Sequence, residues 1–190
     1  MDHRPVLDVN DVDVACSRVG EAMGLDIVLE GDPRLRQKAV GIKRVDESIR
    51  LLAEEMYNML PDVGGVAVAA PQVGVTRRLI VIRYMENEED DDSEEKREIS
   101  YRLVNPEVIR GHGEQVGLEG CLSIPGWVGE VPRFDAITVK AIDLNNRPVR
   151  IKASGYLARV FQHEIDHLDG ILFTDRIVDR ETLRYVGDDD

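Results

Sequence analysis

Two histidines four residues apart, His163 and His167, with Glu164 directly after the first, form the strongest chemical signal in the sequence. On an α-helix, positions i and i+4 lie about 40° apart around the axis, so both imidazoles can bind one divalent ion. A carboxylate beside the first histidine is within reach of a water that such an ion activates. The spacing therefore predicts a helix that carries a metal site, but it does not select a substrate.

A catalytic site of this kind takes three protein ligands and keeps one position open, so a third ligand has to come from elsewhere in the chain. Cys121 is the candidate, because it lies in a stretch of small residues, 117–123, where the backbone can approach a bound group closely. The residue type alone supports a metal ligand and a buried apolar role for Cys121 about equally. Glu119 is a candidate to accept the free ring N–H of a ligating histidine and so fix its tautomer.

The elements that must position these side chains follow from the apolar pattern. Asp46 is a candidate N-cap, and the helically spaced apolar residues after it predict an amphipathic helix that ends before Pro61. A second helix is predicted from Ser154, its candidate N-cap, to Gly170, its candidate C-cap. Between them we expect a small-residue loop at 64–74, a strand at 78–84, a strand at 100–111 that breaks at Asn105 and Pro106, and a hairpin with strands at 136–144 and 148–154. Strands between two helices, without a regular alternation, predict one α+β domain.

Composition limits the classes of partner. The chain has 190 residues, 24 basic and 37 acidic, and a formal net charge of −13. This charge argues against DNA binding and against an anionic membrane surface. No apolar run approaches the ~20 residues of a membrane span, and the N-terminus does not resemble a secretory signal. A cytoplasmic protein is the expectation.

Much of the acidity is concentrated in residues 86–98, which contain nine acidic residues against two basic ones. Such a block repels itself and cannot bury apolar area, so we predict a solvated loop insertion there. The alternative for this block is a docking site for a basic partner. The predicted organisation is an N-terminal extension at 1–25, a catalytic domain at 26–176 and an acidic C-terminal tail at 177–190.

Three motifs make the sequence similar to the peptide deformylase family. Residues 65–72 match the family's Gly-x-Gly-x-Ala-Ala-x-Gln with one departure, since Ala67 stands where the family has its second glycine. Residues 119–123 match Glu-Gly-Cys-Leu-Ser, and residues 162–167 match Gln-His-Glu-x-Asp-His, both without change. The resemblance runs from about Asp26 to Arg176. A Cβ at Ala67 is expected to narrow the cleft and forbids a left-handed backbone that glycine allows.

The resemblance implies a metal site formed by Cys121, His163 and His167. The family's usual ion is Fe²⁺, often replaced by Zn²⁺, Ni²⁺ or Co²⁺. The implied fold is α+β, with antiparallel sheets around a central helix that carries the two histidines.

The resemblance also implies the reaction, which is removal of the formyl group from the N-terminal formyl-methionine of newly made proteins, with release of formate. In the family's mechanism Glu164 is the acid and base, and Gln72 and the backbone N–H of Leu122 hold the substrate oxygen. The implied partners are N-formyl-methionyl nascent peptides. A transient ribosome association stays open, since the acidic tail offers no basic surface for contacting RNA.

A methionine side chain needs an apolar pocket, and the candidates for its wall are Val66, Tyr156 and Val160. The last two precede His163 by about two turns and one turn of the same helix. Two other classes of protein compete with a deformylase. A metallopeptidase shares the histidine motif but usually takes a third histidine or an acid as ligand, whereas a structural metal module needs a fourth ligand that closes the coordination sphere.

Overall fold

A computed structural model describes residues 24–87 and 96–187 of the chain. This part contains two α-helices, α1 at Glu47–Met59 and α2 at Gly155–Leu168. It also contains eight strands: β1 Ala67–Ala69, β2 Leu79–Asn87, β3 Lys96–His112, β4 Gln115–Cys121, β5 Ile124–Arg133, β6 Ala136–Ile142, β7 Pro148–Ser154 and β8 Arg184–Tyr185. The strands form two antiparallel sheets, ordered β1-β2-β3-β6-β7 and β4-β5-β8. The predicted α+β class is confirmed.

The five-stranded sheet carries one helix on each face, and β2 shows why. Ile80 and Ile82 pack in the cluster under α2, whereas Leu79 and Val81 pack in the cluster under α1. Because successive side chains of a strand point to opposite faces, a strand buried on both sides has to be apolar at every position. The continuous apolar run of β2 therefore places this strand between the two helices.

Helix α1 begins and packs as its sequence predicts. The Asp46 carboxylate accepts a hydrogen bond from the Ile49 N–H at 3.1 Å, which satisfies one of the free donors of the first turn. Ile49, Ala53 and Met56 recur at helical spacing and are buried against the large sheet.

Helix α2 is buried on most of its surface, since ten of its 14 residues are buried. Ala158, Phe161, Ile165 and Leu168 pack against the large sheet. The predicted caps differ in detail. Ser154 occupies the N-cap position without a side-chain hydrogen bond, and Asp169 is the C-cap, followed by Gly170 with φ of 74°. None of the helices in the described residues is long and apolar enough to cross a membrane.

Several predicted elements differ from the structure. The predicted small-residue loop contains β1 and a 3₁₀ helix at Ala70–Val73. The break at Asn105 is a bulge within the continuous strand β3. Asn105 has φ of 51°, and its side-chain amide bonds both the N–H and the carbonyl of Ile42, so the chain kinks and continues. Strands β4 and β5 are not among the predicted elements.

Two predicted boundaries also change. Strands β2 and β3 stay paired as far as Asn87 and Lys96, so the ends of the predicted 86–98 loop are strand, and its residues 88–95 lie outside the described residues. The predicted tail is part of the fold as far as residue 187, because β8 pairs with β5 and Leu183 packs in an apolar cluster. Of the predicted extension at 1–25, residues 1–23 lie outside the described residues.

The cap of α1 gives a stability prediction. Replacing Asp46 with alanine should lower the free energy of unfolding by about 1 kcal/mol, because the Ile49 N–H loses its acceptor. Hydrogen bonds from the Ser48 hydroxyl and the Ile49 N–H lower the pKa of Asp46. The ionised carboxylate therefore stabilises the fold above the pKa of the unfolded chain, and this contribution is lost as pH falls through the lower pKa of the folded state.

The check is urea unfolding of the wild type and D46A between pH 7 and pH 2. The matched control is D62A, which removes an exposed carboxylate just beyond the same helix. The gap between wild type and D46A should narrow below about pH 4. A gap that is constant over the whole range would contradict the role of the ionised cap.

Candidate metal centre

The structure brings the three predicted ligands together. Cys121 is the last residue of β4, and His163 and His167 lie one turn apart on α2. The Nε2 atoms of the two histidines are 3.2 Å apart, and the Cys121 Sγ is 3.3 Å from His167 Nε2. One ligand atom from each of the three residues lies within 4.8 Å of the others. The end of a strand and the C-terminal half of a helix thus converge on one point.

This donor set fits a divalent transition-metal ion. Ions with bonds of about 2.1 Å to nitrogen and 2.3 Å to sulfur place tetrahedral ligand atoms roughly 3.5 Å apart, close to the observed spacing. Burial lowers the pKa of His167 well below its ordinary value, which favours the neutral imidazole that binds metals. Among the described residues the group has three ligands, as a site with an open fourth position requires.

Glu119 is buried beside His163. Its Oε2 atom accepts a hydrogen bond from His163 Nδ1 at 2.8 Å, so the proton is assigned to Nδ1 and the Nε2 lone pair faces the other ligands. Arg133 donates to both carboxylate oxygens at 2.9 Å. Burial alone raises the pKa of Glu119, but the hydrogen bonds from Arg133 and His163 outweigh it and lower the pKa to about 2. Glu119 is therefore an anion at neutral pH.

Glu164 lies in the same cleft and is only 4% exposed. Burial raises its pKa to about 7, and its Oε2 atom has no hydrogen-bond partner among the described residues. An unpaired buried carboxyl oxygen is costly, so groups of this kind in clefts are commonly functional.

Gln72 and Leu122 border the ligand group from two other elements. Gln72 lies in the 3₁₀ helix Ala70–Val73, and its Oε1 atom accepts a hydrogen bond from the Ala69 N–H at 2.8 Å. This bond directs the amide nitrogen to the other side, where it lies 3.3 Å from Cys121 Sγ. Leu122 lies in the turn between β4 and β5 and lines the cleft.

The two positions of the glycine motif differ physically. A Cβ on Gly65 would lie 2.9 Å from Leu122 Cδ1, so only glycine fits there without moving Leu122. Ala67 lies in β1 opposite Ile82, is not among the residues with positive φ, and belongs to the core cluster under α2. Ala67 also lines the cleft with its small exposed fraction of 7%, so the narrowing by its methyl group stays a prediction. Its extended backbone does not require glycine.

The ligand group lies in a cleft of about 620 Å³. The three predicted pocket residues all line it, Val66 and Tyr156 with partly exposed side chains and Val160 buried. Tyr156 makes an edge-to-face contact with Tyr84, with ring centroids 5.5 Å apart. The cleft therefore offers an apolar wall next to the ligand atoms.

Sequence reasoning missed four buried polar residues of the site, namely Arg133, Arg159, Gln162 and Asp166. The side-chain amide of Gln162 bonds both the N–H and the carbonyl of Phe134 at 3.0 Å, which fastens the end of β5 to α2. Asp166 accepts hydrogen bonds from Arg133 and Arg176. Gln162 and Asp166 could have been found inside the third motif, whereas no local signal marks the two arginines.

Comparison with known proteins gives independent evidence. The polypeptide deformylase family model matches residues 25–182. A peptide deformylase of Thermomicrobium roseum is 57% identical over 166 residues, which are 86% of this chain and 92% of that protein. Among solved structures, a peptide deformylase from Synechococcus elongatus in complex with actinonin is 38% identical, with a TM-score of 0.73 over 86% of this chain and 85% of that one. The peptide deformylase of Thermotoga maritima is 35% identical, with a TM-score of 0.71 over 82% of this chain and 98% of that one.

The family match covers strands β1 to β7, both helices and all three motifs, and the relatives include one that is 57% identical. We conclude that the chain belongs to the peptide deformylase family, the metal-dependent hydrolases that remove the formyl group from the N-terminal methionine of nascent proteins.

Proposed function

We propose that Cys121, His163 and His167 hold the ion of this deformylase, and that Glu164, Gln72 and Leu122 act on the substrate. The observation that carries the proposal is the convergence of three ligand atoms within 4.8 Å in the cleft that also contains the buried Glu164. When bound, a divalent ion supplies Lewis acidity, since it lowers the pKa of water from ~15.7 towards ~7 and polarises a carbonyl oxygen.

We propose Fe²⁺ as the native ion, with Zn²⁺, Ni²⁺ or Co²⁺ as substitutes. One thiolate and two imidazoles suit all four ions, so ligand chemistry alone does not select among them. The resemblance to the deformylase family favours Fe²⁺.

Glu164 acts as the general base and then as the general acid. Its carboxylate takes a proton from the attacking water, and the resulting hydroxide adds to the formyl carbon. The carbon–nitrogen bond then breaks, the proton passes from Glu164 to the amine nitrogen, and formate leaves with a free N-terminus. Glu164 is suited to both steps because it directly follows His163 and its Oε2 atom has no partner among the described residues.

Negative charge grows on the formyl oxygen during the addition. The Gln72 side-chain amide and the Leu122 backbone N–H are the proposed donors to it. Gln72 is already oriented, because the Ala69 N–H holds its carbonyl end and turns its NH₂ end towards Cys121. A donor that is fixed beforehand needs no reorganisation as the charge develops.

The methionine side chain is proposed to lie against Val66, Tyr156 and Val160, which form the apolar wall of the cleft. We place the reaction in the cytoplasm, with a transient ribosome association, because nascent formyl-methionyl termini are its substrates. The catalytic unit is proposed to extend beyond residue 176 as far as 187, since β8 pairs with β5 at the rim of the site.

The third ligand and the family assignment both argue against the two alternatives, a metallopeptidase and a structural metal module. A peptidase of the same histidine motif usually has a third histidine or an acid, whereas Cys121 occupies this position here. A structural module needs a fourth ligand, and the group in the described residues has three.

The first prediction concerns the third ligand. Replacing Cys121 with alanine should abolish metal retention and formate release together, because two imidazoles alone bind a divalent ion weakly. The measurement is formate release from a formyl-methionyl peptide by chelated protein to which Fe²⁺, Ni²⁺ or Zn²⁺ is restored anaerobically. The wild type should recover activity with each added ion, and C121A with none. A fully metal-loaded C121A protein would show that the ligand is wrong.

The second prediction separates the base from the ligands. E164Q should keep the metal and the fold, because glutamine has nearly the same shape and Glu164 is not a ligand. Its kcat should fall by about 10²–10⁴, since the amide cannot accept the water proton. Metal content by elemental analysis and kcat for the same peptide are the two readouts. Turnover close to that of the wild type would exclude Glu164 as the base.

The third prediction concerns the departure from the glycine motif. A67G should leave kcat/KM for a formyl-methionyl peptide unchanged within about twofold, because Ala67 is only 7% exposed and packs in the core cluster under α2. Its free energy of unfolding should fall by about 0.5–1 kcal/mol through the backbone entropy of glycine. The control is G65A, which should lower kcat/KM because its Cβ displaces Leu122. A clear gain of activity in A67G would mean that the methyl does obstruct the cleft.

A further inference from the structure

Arg159 has a contact pattern that the reaction described above does not use. It lies in α2 about one turn before His163, and its guanidinium is buried, with the residue 6% exposed. Its Nη1 atom donates to Glu119 Oε1 at 2.8 Å and to the carbonyl oxygen of Val131 at 2.9 Å. A buried guanidinium needs such acceptors, because an unpaired charge in this position is strongly unfavourable.

Arg159 and His163 hold opposite ends of one carboxylate. Residues at i and i+4 lie on the same face of a helix, so both side chains reach Glu119 together. His163 Nδ1 is 2.8 Å from the Oε2 atom, while Arg159 is bonded to Oε1. Arg133 spans both oxygens from β5. With Oε1 held by two guanidinium groups, rotation of the carboxylate away from His163 would break several charged hydrogen bonds.

Arg159 also holds the strand that carries the third ligand. Its guanidinium donates to the carbonyl oxygens of Gln115 at 3.2 Å and Gly117 at 3.3 Å, both in β4. Strand β4 ends at Cys121, while α2 carries the two histidines. One side chain therefore connects the two elements whose separation sets the distance between the sulfur and nitrogen ligands.

Gly117 provides the space for this guanidinium. A Cβ built on Gly117 would lie 3.1 Å from Arg159 Nη2 and 3.3 Å from Cζ. Gly117 does not have a positive φ, so its backbone conformation does not require glycine. The absence of a side chain at Gly117 is therefore explained by the space that the Arg159 guanidinium needs.

We infer that Arg159 is a positioning residue for the metal centre, which fixes His163 through Glu119 and fixes Cys121 through β4. The inference rests on the proposed ligands Cys121, His163 and His167. Residues that orient a ligand from behind typically change metal affinity by 10–100-fold when they are replaced. Replacing Arg159 should change the metal affinity by a similar factor, although Arg159 touches neither the ion nor the substrate oxygen in the proposed mechanism.

The test measures metal binding rather than activity. The affinity of the apoprotein for Zn²⁺ is determined by competition with a chromogenic chelator, and the absorption bands of the Co²⁺ protein report the geometry of the ligands. R159M should bind Zn²⁺ about 10–100-fold more weakly and should show shifted Co²⁺ bands. The Zn²⁺ affinity of R159K should lie between those of the wild type and R159M, because an ammonium keeps the charge but cannot bridge Glu119 and β4 in the same way.

Two further variants make the result specific. G117V keeps every charge but crowds the guanidinium, so it should weaken Zn²⁺ binding in the same direction as R159M. R150M removes an exposed arginine of β7 and should bind Zn²⁺ like the wild type. If R159M does not fold, R159K and G117V decide the matter, with circular dichroism as the check of their fold.

The outcomes separate this inference from the proposed function. Folded R159K and G117V proteins with wild-type Zn²⁺ affinity and wild-type Co²⁺ bands would overturn the positioning role and leave the ligands intact. A wild-type protein that binds neither ion would instead overturn the proposed ligand set.

Discussion

The buried carboxylate of Glu119 is the group around which the centre is organised. A carboxylate with this little exposure to water is stable only when its charge is paired and its oxygens are satisfied. Here its three partners come from two elements, namely Arg133 of β5, and Arg159 and His163 of α2. Removal of one partner of a buried pair typically costs about 3–5 kcal/mol. The small sheet and the catalytic helix therefore cannot shift independently, and the ligands they carry stay in register.

The large sheet also limits the position of helix α2. Its strand β2 is apolar on both faces, with α1 covering one face and α2 the other. Helix α2 is thus enclosed, and its polar residues have to find partners inside the protein. Gln162 meets the backbone of Phe134, and Asp166 meets two arginines. Helix α2 therefore carries two kinds of polar side chain. Some belong to the proposed site, and others, such as Gln162 and Asp166, bond the helix to neighbouring segments.

The parts predictable from sequence are those with a local signal. The apolar period and cap of α1, the i, i+4 histidines of α2 and the 136–154 hairpin all follow from residues close together in the chain. Strands β4 and β5 were not predicted because glycines such as Gly117 and Gly129 interrupt the alternating pattern of a strand. In the structure these two glycines leave room for the side chains of Arg159 and Ile177. Arg133 and Arg159 were not predicted as partners of Glu119 because they are 14 and 40 residues away along the chain. No sequence periodicity links charged residues that meet only in the folded state. The pairing of β8 with β5 has no sequence signal either, because a strand of two residues is too short to form an apolar pattern.

The charge balance around the centre bears on how a thiolate can serve in a Lewis-acid site. A thiolate ligand donates negative charge, which by itself weakens the pull of a cation on a substrate oxygen. Around Cys121, however, Glu119 and Asp166 contribute two negative charges, and Arg133, Arg159 and Arg176 contribute three positive ones. The surplus positive charge offsets the thiolate, so the protein side chains behind the ligands are close to neutral as a set. In the proposed mechanism, a bound divalent ion would then act mainly on the open side of the cleft, which Glu164 and Gln72 line. In a low-dielectric cleft, such fixed charges act strongly on the charge that develops in the reaction.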